Sequence, residues 1–194
     1  MADQKVYLVA GLGNPGAEYA NTRHNAGFMV IDTLAASYKI AVERTKFNVN
    51  YGRGRIEGVE VLLAKPQAYM NRSGPPLRQL ADYFRIPCEA VVIIHDDIDL
   101  AFERLKIKEK GGDGGHKGIK SLIEAFGEDQ FVRLRVGVGR SETGGDVIGH
   151  VLGRFGPDEL SSLDKFIRKA AEAIVTILCK GTKEGMNEYN RSPR

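Results

Sequence analysis

Four short segments of this sequence bring together residue types that could do chemistry. In IHDDIDL, residues 94–100, a histidine and three aspartates crowd the end of an apolar run. His95, Asp96, Asp97 and Asp99 could ligate a hard cation, but such sites gather more oxygen ligands from elsewhere, and no second cluster supplies them. The alternative is a carboxylate that orients a general base: bonded to one imidazole nitrogen, it fixes the tautomer and steadies the protonated ring. Neighbouring strand residues face opposite ways, so Asp96 and Asp97 do not both serve that purpose.

A base for such a carboxylate is found in NTRHNAG, residues 21–27. His24 lies in a polar loop between Arg23 and Asn25, the kind of segment that carries catalytic groups, and an imidazole can take a proton at neutral pH as general-base hydrolysis requires. A structural or simply exposed histidine is the alternative. GLGNPG, residues 11–16, formally satisfies a dinucleotide fingerprint after a predicted strand. A Rossmann unit also needs a helix opening at the third glycine and an acidic residue closing a second strand. AEYANTRHN lacks helical periodicity and Asp32 falls within a predicted helix, so a tight turn competes with cofactor binding. Neither reading accounts for Asn14, whose amide offers two donors and an acceptor at the strand's end. In KGGDGGHKG, residues 110–118, glycines permit close backbone approach, and the helix predicted after His116 offers N–H groups to a phosphate, with a plain surface loop as the alternative. Just upstream, Lys106 and Lys108 share one face of an alternating strand.

These segments must be positioned by the elements between them. KVYLVAGLG (5–13) reads as a strand, GFMVIDTLAASYK (27–39) as a helix, and 47–56 with 59–65 as a hairpin around Gly58. GPPLRQLADYFRI (74–86) starts as a helix tolerates, with proline early. EAVVIIHDDIDL (89–100) is a continuous apolar run, the pattern of a central strand, while RLKIKEK (104–110) alternates as an edge strand does. GHKGIKSLIEAFG is a helix, VRLRVGVGR a further strand, and a long amphipathic helix over 157–180 precedes a polar tail. Alternating strands and helices imply α/β layers about a largely buried sheet.

The chain has 194 residues, 42% hydrophobic and 27% charged, which suits one domain over 1–194 and excludes a largely disordered chain. No apolar stretch suits a signal peptide or a membrane span, and Cys88 and Cys179 form no metal-ligand spacing and read as buried, reduced thiols. A net charge of +3 is compatible with RNA without demanding it. Arg133, Arg135 and Arg140 add to the central basic residues, although a solvated face explains half of them as well.

GLGNPGAEYANTRHNAG (11–27), KPQAYMNRSG (65–74), HDDIDL (95–100), GGHKGIKS (114–121), FVRLRVGVGR (131–140) and GMNEYN (185–190), in this order and spacing, resemble the successive signatures of the bacterial-type peptidyl-tRNA hydrolase family over nearly the whole chain. The resemblance implies a monomeric, cytoplasmic α/β domain with a twisted mixed sheet surrounded by helices. It implies cleavage of the ester joining a peptide to the 3′ ribose of tRNA, with no metal and no organic cofactor. His24 matches the family's base, and Asp96 rather than Asp97 the carboxylate orienting it. Asn14, Met70, Asn71 and His116 match residues lining the crevice, with Tyr19 nearby. Lys106, Lys108 and Arg135 match positions used against the tRNA 5′ phosphate and acceptor stem, the 3′ CCA end entering the crevice. Lys117 departs from the asparagine most often found there, and the expectation is that it meets the substrate's 3′ phosphate backbone. Rivals from other classes are a nicotinamide-dependent oxidoreductase built on GLGNPG and an RNA-binding protein without catalysis. A serine hydrolase using Ser73 is remote, because MNRSG lacks the GxSxG elbow.

Overall fold

The computed structural model describes residues 5–141 and 145–191, so residues 1–4, 142–144 and 192–194 of the expected domain lie outside it. The strands are β1 (Tyr7–Gly11), β2 (Arg44–Lys46), β3 (Val49–Ile56), β4 (Val59–Pro66), β5 (Val91–Asp97), β6 (Leu105–Lys108) and β7 (Val132–Gly137). They form one sheet in the order β2-β3-β4-β1-β5-β7-β6. Pairings β4–β1, β1–β5 and β5–β7 are parallel, while the flanking pairs β2–β3, β3–β4 and β6–β7 are antiparallel, so the expected mixed sheet is present.

The helices are α1 (Ala26–Tyr38), α2 (Gly74–Tyr83), α3 (Lys117–Phe126), α4 (Val147–Leu152), α5 (Pro157–Lys180) and α6 (Thr182–Tyr189). Strand alternation splits the apolar side chains between two cores. Val9 and Ile94 point towards α1 and α5, where Val30, Leu34, Ala170 and Ile174 cover them. Leu8, Ala10 and Ile93 point the other way, onto Leu77 and Leu80 of α2 and Ile119 and Leu122 of α3. Both faces being covered explains why β5 reads as a continuous apolar run.

The chain turns from one side of β1 to the other between β4 and β5, which places a topological switch point at the carboxyl ends of β1 and β5. Gly11 and Gly27 let α1 press close to that point. A Cβ on Gly11 would lie 2.1 Å from the Gly27 carbonyl oxygen, and one on Gly27 would lie 2.5 Å from the Ile94 carbonyl oxygen. The first glycine of GLGNPG therefore serves strand–helix packing. No helix opens at Gly16, because α1 starts at Ala26, so the geometry of a dinucleotide fold is missing.

Three sequence expectations are corrected. The polar tail is helical: α6 folds back after Gly181, and the Asn190 side chain pairs with the N–H of Ile107 at 2.7 Å and its carbonyl at 3.0 Å, continuing the ladder past the exposed edge of β6. Cys179 is exposed and Cys88 only partly covered, although both are free thiols; burial, with Glu128 beside it, pushes the Cys88 thiol up to about 12. Arg133 belongs to no solvated face, being 3% exposed. The short strand β2 and the helix α4 have no counterpart in the sequence pattern.

Candidate active site

Asp96 is the penultimate residue of β5 and is buried, 1% of the residue being exposed. Two imidazoles converge on it. His24 Nδ1 lies 2.9 Å from both carboxylate oxygens, and His116 Nε2 lies 2.8 Å from Oδ1. Burial alone would raise the Asp96 carboxyl; His116 and then His24 overturn that and hold it well below the usual carboxylate range. An ionised carboxylate only accepts, so both imidazole nitrogens facing it are donors.

His24 occupies a short 3-10 turn, Arg23–Asn25, whose two other residues pin it from opposite sides. Asn25 is buried, its Oδ1 accepting the Asn14 N–H and its Nδ2 donating to the Asn14 carbonyl, each at 2.9 Å. This amide forms a rung that locks the end of β1 to the turn. Arg23 pairs with Glu159 at 2.6 Å and donates to the Arg154 carbonyl at 2.8 Å. The same Glu159 oxygen accepts the Gly156 N–H at the start of α5, tying the turn to the longest helix.

Tautomers follow from the remaining partners of the four histidines. His116 is the N-cap of α3, its Nδ1 accepting from the N–H of Gly118 at 3.1 Å and of Ile119 at 3.3 Å. Its proton is thus on Nε2 and its lone pair is occupied. The helix N–H groups expected to be open to a phosphate are, at these two positions, already taken by the ring. His95 donates Nδ1–H to the Asp96 carbonyl at 2.7 Å, and its Nε2 is buried without a partner. Burial, helped by His116, pushes its pKa well down, so the ring is neutral but sealed. His150 donates Nε2–H to the Val138 carbonyl, away from the carboxylate. His24 and His95 both line the cavity with Nδ1–H held and Nε2 without a protein partner among the described residues. The Nε2 of His95 is buried, so His24 is the one that combines a carboxylate on Nδ1 with a partly exposed ring.

The cavity, of about 630 Å³, is lined by Asn14, Tyr19, His24, Met70, Asn71, Asp96, His116, Lys117, Lys108 and Arg135, bringing together nearly all the residues singled out in the sequence. Lys106 is not among the lining residues; it stands one rung further along β6, opposite Arg135. Asn14 Oδ1 accepts the Met70 N–H at 2.8 Å, which turns its amide so that the NH₂ is the group without a protein partner. Met70 is buried and packs its sulfur so near Gly118 that a Cβ there would meet it at 2.5 Å. Tyr19 stacks edge-on against Tyr69, with ring centroids 6.5 Å apart. Arg135 Nε donates to Asp97, so the two adjacent aspartates serve different partners.

Several lining groups carried no signal of function in the sequence. Val147, Ile148, Val151 and Leu152 of α4 form an apolar wall, and Val147, Ile148 and Leu152 are exposed. Arg133 donates to the carbonyls of Gly111, Gly112 and Asp129, holding the glycine-rich loop from below. Tyr69, next to Met70, could have been noticed as an aromatic beside a polar turn. As a metal set, only His24, Asp96 and His116 come together among the described residues, with ligand atoms within 4.8 Å of one another. A cation there would have to displace both ring protons that now bond the carboxylate.

The profile of the family described as Peptidyl-tRNA hydrolase matches residues 8–194. A peptidyl-tRNA hydrolase of Clostridium novyi is 45% identical over 185 residues, covering 95% of this chain and 98% of its own. One of Bacillus subtilis is 46% identical over 183 residues, covering 94% and 97%. The crystal structure of the peptidyl-tRNA hydrolase of Acinetobacter baumannii superposes with a TM-score of 0.89 at 40% identity, covering 96% of this chain and 95% of that one.

Proposed function

We propose, from the premise that the chain belongs to the peptidyl-tRNA hydrolase family, that His24 is the general base of its ester hydrolysis and Asp96 the residue that holds it. The observation carrying this is the sorting of the histidines: only His24 combines a carboxylate on Nδ1 with an open Nε2 at the cavity. In the reaction, Nε2 takes a proton from water as its oxygen adds to the ester carbonyl. The imidazolium so formed is stabilised by Asp96 and returns the proton to the ribose 3′ oxygen as the ester bond breaks. An ester is labile enough that no acyl-enzyme is needed. The NH₂ of Asn14 and the exposed amide of Asn71 donate to the developing oxyanion or to the peptide.

The peptide side fits the apolar floor and wall formed by Met70 and α4, and Tyr19 flanks the 3′ end. His116 acts through Asp96, sharing its charge. Lys108, Arg135 and the more distant Lys106 meet the 5′ phosphate and acceptor stem, giving affinity that falls with salt. Lys117, exposed at the first position of α3, meets the 3′ phosphate backbone; a cation in that turn opposes the helix dipole, so nothing in α3 itself calls for it. The whole chain, 1–194, acts as one monomeric unit in the cytoplasm. The family's part in translation favours that location, and among the described residues no helix is long and apolar enough to cross a membrane.

The test is release of the acylated amino acid from N-blocked aminoacyl-tRNA. Wild type cleaves it and His24→Ala binds it but cleaves about 10²-fold to 10⁴-fold more slowly. Binding without cleavage by wild type would instead favour an RNA-binding protein.

A further inference from the structure

Four carboxylates line a cavity that is read as receiving a polyanion, and two of them, Asp96 and Asp113, are not paired with an arginine. Asp96 holds two imidazoles, and Asp113 closes a turn by accepting the Gly115 N–H at 2.6 Å. Asp97 and Asp99 are each set against an arginine of the basic face. Asp97 Oδ2 accepts from Arg135 Nε, and its Oδ1 accepts the Asp99 N–H at 2.8 Å. Asp99 accepts from Arg140 Nε at 3.1 Å. The inner pair is the sheltered one: Asp97 and Arg135 side chains are 9% and 18% exposed, against 50% and 65% for Asp99 and Arg140. Solvent and salt screen the inner pair far less. Arg135 also stands directly opposite Lys106 across β6 and β7, in the middle of the cationic strip.

Resting on the reading that Arg135 meets the tRNA 5′ phosphate, we infer that Asp97 is a built-in competitor for that arginine, and that it lowers tRNA affinity so that deacylated tRNA leaves. Substrate and product carry the same 5′ phosphate, so a contact to it is uniform binding: it lowers KM without lowering the chemical barrier, and it holds the product equally well. Where product release limits turnover, excess affinity of this kind slows the enzyme. Asp97 engages Nε and leaves both terminal nitrogens of Arg135 without a carboxylate partner. The phosphate contact is therefore weakened, not abolished.

Asp97→Asn separates the two duties of the side chain. Its amide oxygen can still accept the Asp99 N–H, preserving the turn, while its NH₂ faces the guanidinium with a donor and attracts nothing. The experiment measures deacylated tRNA binding against salt, single-turnover hydrolysis and steady-state turnover, for wild type, Asp97→Asn, Arg135→Met and the double variant. Expected for Asp97→Asn are about threefold to tenfold tighter tRNA binding and a salt slope steeper by up to about 1. Its single-turnover rate stays near wild type, which also reports an intact fold, while its steady-state kcat falls. In the Arg135→Met background the tightening disappears. Equal or weaker tRNA binding by Asp97→Asn, with Arg135→Met still weakening it, overturns the inference alone. Affinity and salt slope unchanged in Arg135→Met overturn the phosphate contact beneath it as well.

Discussion

Replacing Asp96 with asparagine changes one atom in a buried site, and its effect can be worked out from the hydrogen bonds. His116 must donate through Nε2, because its Nδ1 caps α3, and it reaches only Oδ1. The amide oxygen of Asp96→Asn therefore settles at the Oδ1 position and its NH₂ at Oδ2. His24 Nδ1, now 2.9 Å from both oxygens, then faces an N–H donor. The amide oxygen at Oδ1 stays within reach of Nδ1 but is shared with the His116 donor, while the N–H at Oδ2 repels the Nδ1–H. Displacement of the ring or transfer of its proton to Nε2 then removes the free base. Loss of the charge-assisted bond costs about 1.5–3 kcal/mol, or about 10-fold to 10²-fold. With the tautomer reversed, the single-turnover rate on N-blocked aminoacyl-tRNA should fall by about 10²-fold to 10⁴-fold. The amide fills the carboxylate's volume, so the circular dichroism spectrum and tRNA affinity should stay close to wild type. A variant that binds tRNA normally and keeps more than about a tenth of the wild-type rate would refute this reasoning.

Asp96 has its pKa depressed on folding, so it contributes stability above about pH 4, the unfolded carboxyl's value, and that contribution is lost as pH falls through the folded one. The gap in thermal midpoint between wild type and Asp96→Asn should therefore narrow below about pH 4, whereas a constant gap down to pH 2 would contradict it. Gly27→Ala places a Cβ 2.5 Å from the Ile94 carbonyl oxygen and should cost about 3 kcal/mol or more in urea denaturation. An unchanged midpoint would mean that α1 need not sit so close to β1. Lys117→Asn should raise KM a few-fold and flatten its salt dependence by about one phosphate contact, with kcat retained; no change in either would exclude Lys117 from the substrate's backbone.

The parts of this account legible in the sequence are those that local pattern dictates. The acidic end of an apolar run marked β5, alternation marked β6 as an edge strand, and spacing matched α5 to its limits. The pairing of Asp96 with His24 followed from the resemblance, and the distances agree with it. What stayed hidden depends on partners far along the chain. Asn25 looked like a mere neighbour of His24 because its bonds run to the backbone of Asn14. For Arg133 a solvated face and RNA stay open alternatives in the sequence, because its acceptors are main-chain carbonyls, which leave no mark in side-chain pattern. The helix α6 was missed because only Met186 and Tyr189 of its residues offer large apolar groups to the core, and Asn190 meets Ile107 across the molecule.

The claim on which everything else depends is that Asp96 keeps the proton of neutral His24 on Nδ1 and leaves Nε2 bare towards the substrate. Nitrogen-15 chemical shifts of the histidine side chains, recorded in the uncomplexed protein at a pH where His24 is neutral, measure this directly. The account predicts an Nδ1–H tautomer for His24 and the opposite, Nε2–H, for His116 on the same carboxylate. A neutral His24 carrying its proton on Nε2 would contradict it.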